Sequence, residues 1–155
     1  MAPVLTQRDY RILAEFRYQI RRFLRFSELA AHAEGLEPQQ HQFLLAIQAE
    51  PEGGAPTIGQ AADRLLIHHH SAVGLADRLE ERGLVERIRG MGDRRQVRLR
   101  LTEAGSEILT RLSALHQREL QQAGPELVAT LQVLLKGSST YEDGHVLEGS
   151  DRRKS

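Results

Sequence analysis

The sequence predicts a mainly α-helical protein that carries one small β-hairpin. Two observations support this fold class. Apolar residues recur at steps of three and four along most of the chain, which is the period of amphipathic helices. The interval from Leu84 to Leu101 reads instead as two extended segments around a turn rich in glycine and arginine.

Composition limits the class of protein. A chain of 155 residues with 40% hydrophobic and 27% charged residues is expected to form one compact domain. No run approaches about 20 apolar residues and no basic segment leads into an apolar one at the N-terminus, so we predict a cytoplasmic protein without a membrane span or signal peptide. The absence of cysteine excludes disulfides, thiolate metal sites and thiol-based redox sensing.

The N-terminal third predicts two helices. The first covers about residues 7–35 and has more apolar length than a small domain's core needs, so we expect it to pack against a partner subunit. Glu37-Pro38 starts the second helix, because proline suits a first helical turn. The proline- and glycine-rich stretch at 51–56 ends it.

The next two helices are short and close together. Thr57 and Gln60 have the spacing of a capping box, which starts a helix that runs to about Leu65. A second helix begins near His69 and stops at Arg82-Gly83, since glycine accepts the left-handed conformation that ends helices. Two helices joined by a few residues predict a helix-turn-helix.

A hairpin and a long helix complete the predicted domain. Residues 84–89 and 96–101 are extended segments, and the second alternates apolar and basic residues. Thr102 is placed to cap the last helix, in about residues 103–136, and we expect Gly124-Pro125 to interrupt it. The polar chain from 137 to 155 is predicted to be a flexible tail. The whole is a winged helix-turn-helix, in about residues 37–102, flanked by N- and C-terminal dimerisation helices.

Charge is uneven along the chain. The net charge is +0, yet the segment from Arg82 to Arg100 holds seven arginines against two acidic residues, Glu86 and Asp93. A local excess of five positive charges is compatible with a solvated hairpin or with a nucleic-acid surface. Charge alone leaves both interpretations open.

Three motifs in this order resemble the MarR family of bacterial transcriptional regulators. They are Asp77-Arg78-Leu79-Glu80 with Arg82-Gly83-Leu84-Val85, then Asp93-Arg94-Arg95, then Leu101-Thr102-Glu103-Ala104-Gly105. The resemblance covers roughly residues 36–115. It implies a homodimeric repressor whose recognition helices enter the major groove of a pseudo-palindromic operator on double-stranded DNA. It also implies a wing over the minor groove and, as in many relatives, a small aromatic or phenolic effector.

The resemblance also suggests which residues meet DNA. Arg95 matches the wing-tip arginine that the family inserts into the minor groove, and Asp93 would hold the tip in shape. Gly74 stands where many relatives have arginine. Arg78 either contacts DNA or pairs with a neighbouring acid such as Glu81. The candidate DNA-binding residues are Thr57, His69, His70, Ser71, Gly74, Arg78, Asp93, Arg94 and Arg95.

Other chemistries are not supported. Successive helical residues point about 100° apart, so the consecutive histidines 68–70 cannot share one metal ion. His32, His41 and His116 are single residues that could meet across a dimer, but ordinary surface or core roles are favoured. No nucleophile elbow or phosphate-binding loop occurs, so we predict no catalytic residue, metal or cofactor. The alternative function is a winged-helix module that binds a protein partner and has lost specific DNA binding, which Gly74 and the zero net charge motivate.

Overall fold

The structure is a computed structural model that describes residues 4–51, 55–89 and 96–136. Its elements are α1 (Gln7–Ala33), α2 (Pro38–Gln48), α3 (Ile58–Leu65), α4 (His69–Glu81), β1 (Val85–Arg89), β2 (Val97–Leu101) and α5 (Glu103–Lys136). The predicted fold class, mainly helical with one hairpin, is confirmed. Among the described residues, no helix is long and apolar enough to cross a membrane.

The chain divides into two compact units. Among the described residues, the first holds 4–22 and 120–136, and the second holds 23–51, 55–89 and 96–119. The second unit contains α2, α3, α4 and both strands, together with the C-terminal part of α1 and the N-terminal part of α5. Every element that the sequence assigns to the helix-turn-helix and the wing therefore belongs to one compact unit.

The core of the second unit is a single hydrophobic cluster. Five of its largest fully buried side chains come from four different elements: Phe43, Leu44, Leu79, Leu99 and Leu112. Burying a side chain of this size stabilises the fold by roughly 1.5–3 kcal/mol. On α4 the buried residues are Ala72, Leu75, Ala76 and Leu79. This burial fixes which face of α4 is turned inward and leaves the opposite face to solvent.

Side-chain caps set the helix boundaries that the sequence predicts. The Gln60 N–H donates to Thr57 Oγ1 over 3.2 Å, and the Thr57 N–H donates to Gln60 Oε1 over 2.8 Å, which completes the capping box of α3. Gly83 has φ +69°, the left-handed conformation that ends α4. Thr102 Oγ1 accepts from the Gly105 N–H over 3.1 Å at the start of α5. These boundary predictions are confirmed.

The hairpin is tied to the segment that enters α3. β1 and β2 are antiparallel, with Val85 opposite Leu101 and Arg89 opposite Val97. The Leu99 N–H donates to the Pro56 carbonyl over 2.8 Å, and Thr57 forms an isolated bridge with Arg98. The base of the hairpin is therefore fixed by main-chain bonds to the start of the helix-turn-helix.

The predicted interruption at Gly124-Pro125 is wrong, because α5 continues through both residues to Lys136. Pro125 has no N–H, so the carbonyl of Gln121 loses its helical partner. Gln121 is exposed, and water can bond that carbonyl. Beyond the proline, Thr130 Oγ1 accepts a hydrogen bond from the buried Gln19 of α1 over 3.3 Å. Packing within the first unit thus outweighs the local helix-breaking preference.

One residue of the helix-turn-helix adopts an unfavourable backbone conformation. Leu66, between α3 and α4, has φ 55° and ψ 41° while its side chain is 93% exposed. We expect Leu66→Gly to raise the free energy of unfolding by roughly 0.5–1 kcal/mol, because it removes the β-carbon clash of the left-handed region and gives up little packing. Urea unfolding measures the effect. Leu66→Ala, which keeps the β-carbon, is the matched control, and its free energy of unfolding should not exceed that of the wild-type protein. Equal stability of the two variants would contradict the strain argument.

Candidate nucleic-acid interface

The start of α4 is exposed. His69 and His70 are open to solvent and Ser71 is half-buried. The N-cap residue His68 makes no side-chain capping hydrogen bond. A helix start without a side-chain cap presents free N–H groups and the positive end of the helix dipole, which suit a phosphate. Three of the predicted DNA-binding residues therefore share one exposed helical turn.

Two histidine rings stack beside this turn. The His68 and His70 rings are parallel to within 6°, with centroids 5.7 Å apart. The stack was not predicted, because His68 precedes the helix and its direction does not follow the helical period. In the described part of the chain, no three histidine, aspartate or glutamate side chains are grouped as a metal site would require.

Further along α4, the Arg78 guanidinium lies over Gly74. A β-carbon added at Gly74 would stand 3.4 Å from Arg78 Nη1. Arg78 is exposed, and within residues 4–51, 55–89 and 96–136 it forms no ion pair. Pairing with Glu81, one of the two roles considered for this arginine, is therefore not observed among those residues.

Arg87 connects the hairpin to α4. From β1, its Nη2 lies 2.6 Å from Asp77 Oδ1, and its Nη1 pairs with the Glu80 carboxylate. The hydrogen bond to Asp77 is the main cause that raises the pKa of Arg87. We call Arg87, Asp77 and Glu80 the Arg87 clamp. Sequence analysis missed it, although two acids three residues apart on a helix, followed by an arginine in the next strand, are a usable signal.

Most of the other arginines between residues 82 and 100 that the structure describes also make internal contacts. Arg82 Nη1 donates to the Gly35 carbonyl over 2.8 Å, and Arg98 Nη1 donates to the Ala55 carbonyl over 2.7 Å. Arg100 Nε pairs with Glu86 over 2.8 Å. Much of the positive charge that the sequence offers to DNA therefore stabilises the hairpin and its neighbours.

The remaining candidate DNA-binding residues are Thr57 and three residues at the predicted wing tip. Thr57 uses its hydroxyl in the capping box of α3, so its helix-capping role is established in the structure. Asp93, Arg94 and Arg95 lie outside the described residues. The roles of these three residues at the wing tip stay sequence predictions.

A buried histidine and a half-buried one pack together in the same unit. The rings of His41, from α2, and His116, from α5, have centroids 4.8 Å apart. His116 Nδ1 lies 2.6 Å from the Leu112 carbonyl and its Nε2 lies 2.8 Å from Ser27 Oγ. Because a carbonyl only accepts, Nδ1 carries the hydrogen in neutral His116 and Nε2 accepts from the serine hydroxyl. The two histidines, which the sequence left as separate residues, meet within one chain.

His41 is held in its neutral form. The residue is 5% exposed, and its Nδ1 is buried without a hydrogen-bond partner among the described residues. Burial, followed by the neighbouring His116, lowers the pKa of His41 from 6.5 to about 4. Phe23 and Phe26 pack edge-on against His116 and complete an aromatic cluster. His41 is the buried member of this cluster, and the other three rings are half-buried.

Comparison with solved structures gives the same architecture. AbsC, a MarR family transcriptional regulator from Streptomyces coelicolor, has a TM-score of 0.69 and 20% identity over 93% of this chain and 100% of that one. A mutant of MepR from S. aureus bound to an oligodeoxyribonucleotide has a TM-score of 0.63 and 16% identity, covering 81% of this chain and 96% of that one. BpsR from Bordetella bronchiseptica, whose DNA binding is regulated by 6-hydroxynicotinic acid, has a TM-score of 0.60 and 20% identity. The match covers 83% of this chain and 98% of BpsR. At these identities the likeness is one of fold.

The helix-turn-helix, the exposed start of α4 and the paired hairpin together define a winged-helix protein of the DNA-binding class. Residues 34–96 match the model of the MarR family, whereas a search of curated proteins gives no match. The match covers 63 of the 155 residues, and over this part the chain is similar to the MarR family. Members of this family are transcription regulators and not enzymes.

Proposed function

We propose that this protein is a homodimeric, sequence-specific DNA-binding repressor whose affinity for its operator responds to a small molecule. The observation that carries the proposal is the exposed start of α4, where His69, His70 and Ser71 share one turn next to a hairpin that Arg87 holds against the same helix. The MepR structure supports it, since that protein of the same fold is bound to an oligodeoxyribonucleotide.

In the proposed complex, α4 enters the major groove. The N–H groups of His69 and His70 and the side chains of His69, His70 and Ser71 bind phosphate, which positions the helix. Gly74 and Arg78 lie further along the same helix and approach the bases. From the sequence, we assign Arg95 to the minor groove and Arg94 and Asp93 to the wing tip that carries it.

Exposed apolar side chains on both long helices support dimerisation. They include Tyr10, Leu13, Tyr18, Leu24 and Leu29 on α1, and Leu120, Val128, Leu131, Val133 and Leu135 on α5. Large apolar side chains repeated along a helix mark a surface that another subunit covers. A two-fold dimer presents two recognition helices, so the preferred site is a pseudo-palindrome with half-sites about one helical turn apart.

The proposed effector response is based on a protein of similar fold. BpsR, whose fold is similar, is regulated in DNA binding by 6-hydroxynicotinic acid. By analogy we assign a small aromatic or phenolic effector to this protein, and we leave its binding residues unassigned.

The proposal is tested by measuring binding to the DNA upstream of its own gene at rising salt. If about six phosphates are neutralised, the affinity should fall roughly 1000-fold between about 50 and 200 mM salt, because bound protein no longer gains from counterion release. Arg95→Ala should weaken binding while sedimentation still reports a dimer. Binding that ignores salt, or a selection from random duplexes that enriches no palindrome, would favour the alternative of a protein-binding module.

A further inference from the structure

The N-terminal part of α1 carries an excess of positive charge. Residues 7–22 contain five arginines against two acids, Asp9 and Glu15, which gives 5 − 2 = +3. Both acids already accept hydrogen bonds from neutral groups, Asp9 from Thr6 and Glu15 from Gln19. All five arginines are exposed, and within residues 4–51, 55–89 and 96–136 none of them forms an ion pair. They are Arg8, Arg11, Arg17, Arg21 and Arg22.

Three of these arginines lie along one side of the helix. Successive helical residues are about 100° apart, so Arg8, Arg11 and Arg22 fall within about 60° of one another, whereas the other two lie about 80° or more away. We call Arg8, Arg11 and Arg22 the arginine row. Arg22 lies over the Tyr18 ring, 5.9 Å from its centroid. This contact leaves the charge of the guanidinium available to an anion.

The chain that follows α5 begins close to the arginine row. In the first unit α1 and α5 pack together, and Gln19 donates a hydrogen bond to Thr130 over 3.3 Å. Arg11 lines a groove that it shares with Val133 of α5. Lys136, where α5 ends, is three residues beyond Val133, which is about 4.5 Å of helix. Residue 137 and those after it therefore leave α5 near Arg11.

The sequence that follows α5 is complementary in charge to this row. Residues 137–151, which lie outside the described residues, contain four acids and no lysine or arginine. The acids are Glu142, Asp143, Glu148 and Asp151. At roughly 3.5 Å per residue, Glu142 can reach about 20 Å from Lys136 and Asp151 about 50 Å. The arginine row is about 21 Å long at 1.5 Å per residue, so the acidic segment can reach all of it.

We propose that the acidic segment 142–151 of this chain docks on the arginine row of α1. Carboxylates and guanidinium groups form charge-assisted hydrogen bonds. A single exposed ion pair contributes little, but the segment is tethered beside the row, and the tether gives it a high effective concentration. The docked segment shields the row from other polyanions. This inference uses no residue of α4 or the hairpin and goes beyond the proposed DNA-binding function.

Time-resolved fluorescence anisotropy of a dye on the acidic segment tests the proposal. The chain has no cysteine, so Ser150→Cys gives one labelling site per chain, between Glu148 and Asp151. At about 20 mM salt the docked segment should make the dye follow the tumbling of the whole protein, and about 500 mM salt should release it, because salt screens exposed charges. A dye that moves equally fast at both salt concentrations would overturn the proposal and support the flexible tail predicted from the sequence. Slow motion that appears only as protein concentration rises would mean docking on a second copy, which would also overturn it. DNA is absent from this experiment, so its outcome does not depend on the proposed function.

Paired substitutions on α1 locate the docking site. Arg8→Gln with Arg11→Gln removes two members of the row, and the ratio of docked to free segment should fall roughly 3- to 10-fold, as expected for the loss of two exposed ion pairs. Arg17→Gln with Arg21→Gln is the matched control, because it removes the same charge from another side of the same helix. That ratio should then change less than about twofold, since only general charge attraction is reduced. Equal losses from the two double variants would overturn the assignment to the arginine row.

Discussion

Gly105→Ala is expected to lower the free energy of unfolding by about 3 kcal/mol or more, a large share of the stability of a small protein. Gly105 is buried in the first turn of α5, and a β-carbon there would stand 2.1 Å from the Leu84 carbonyl oxygen. That oxygen accepts the Thr102 N–H over 3.1 Å, and Leu84 is only 4% exposed. The backbone cannot move aside without breaking this bond and disturbing the core. Urea unfolding of the purified variant measures the effect.

A second glycine in the same helix provides the control. Gly124 has open space around its missing β-carbon, so Gly124→Ala should gain roughly 0.5–1 kcal/mol from better helix propensity. Opposite signs for the two substitutions are the expected outcome. A loss of less than about 1 kcal/mol at Gly105 would contradict the close approach of α5 to Leu84.

Stability is expected to fall steeply as pH drops below 6.5, because of His41. Its pKa is about 4 in the folded protein and 6.5 in the unfolded chain. As pH falls between these values the unfolded chain binds a proton that the folded protein does not, so protons favour unfolding. Between pH 6.5 and pH 4 the free energy of unfolding should fall by about 3 kcal/mol. About 2 kcal/mol of that loss falls between pH 6.5 and pH 5. Above pH 6.5 the effect disappears.

The measurement compares how steeply the free energy of unfolding changes with pH in different variants, and not the absolute stabilities of those variants. His41→Gln keeps a polar side chain but cannot titrate, so its free energy of unfolding should change less with pH between 6.5 and 5 than that of the wild-type protein. His69→Gln removes an exposed imidazole and should retain the wild-type slope. The upper part of the window separates His41 from carboxylates such as Glu34, whose pKa the hydrogen bond from Arg111 lowers. Parallel slopes for wild type and His41→Gln would contradict the assignment.

Local signals predicted most of the helix and strand boundaries. Capping by Thr57 and Thr102 and termination at Gly83 depend on neighbours within a few residues, so sequence spacing was sufficient. Gly124-Pro125 was misread because the same reasoning ignores packing. The contact between Gln19 and Thr130 joins residues far apart in the chain, and no local pattern contains it.

Some features of the candidate interface were predicted from the sequence, and others became visible only in the structure. The exposed turn at His69, His70 and Ser71 follows from the helix start and was predicted as a group. The Arg87 clamp and the position of Arg78 over Gly74 were not predicted. Sequence charge treated every arginine from 82 to 100 alike, and only the packed structure shows that Arg87 and Arg100 pair with acids.

By itself, the sequence determined the winged helix-turn-helix, the order of its elements and the similarity to the MarR family, because periodicity, caps and three spaced motifs are properties of neighbouring residues. Only the tertiary structure decided which charged groups remain available and which titratable group is buried. His41 and His116 are 75 residues apart in the sequence, and the second unit brings their rings together. Burial and long-range pairing depend on how the elements pack in three dimensions, and that information is absent from local spacing.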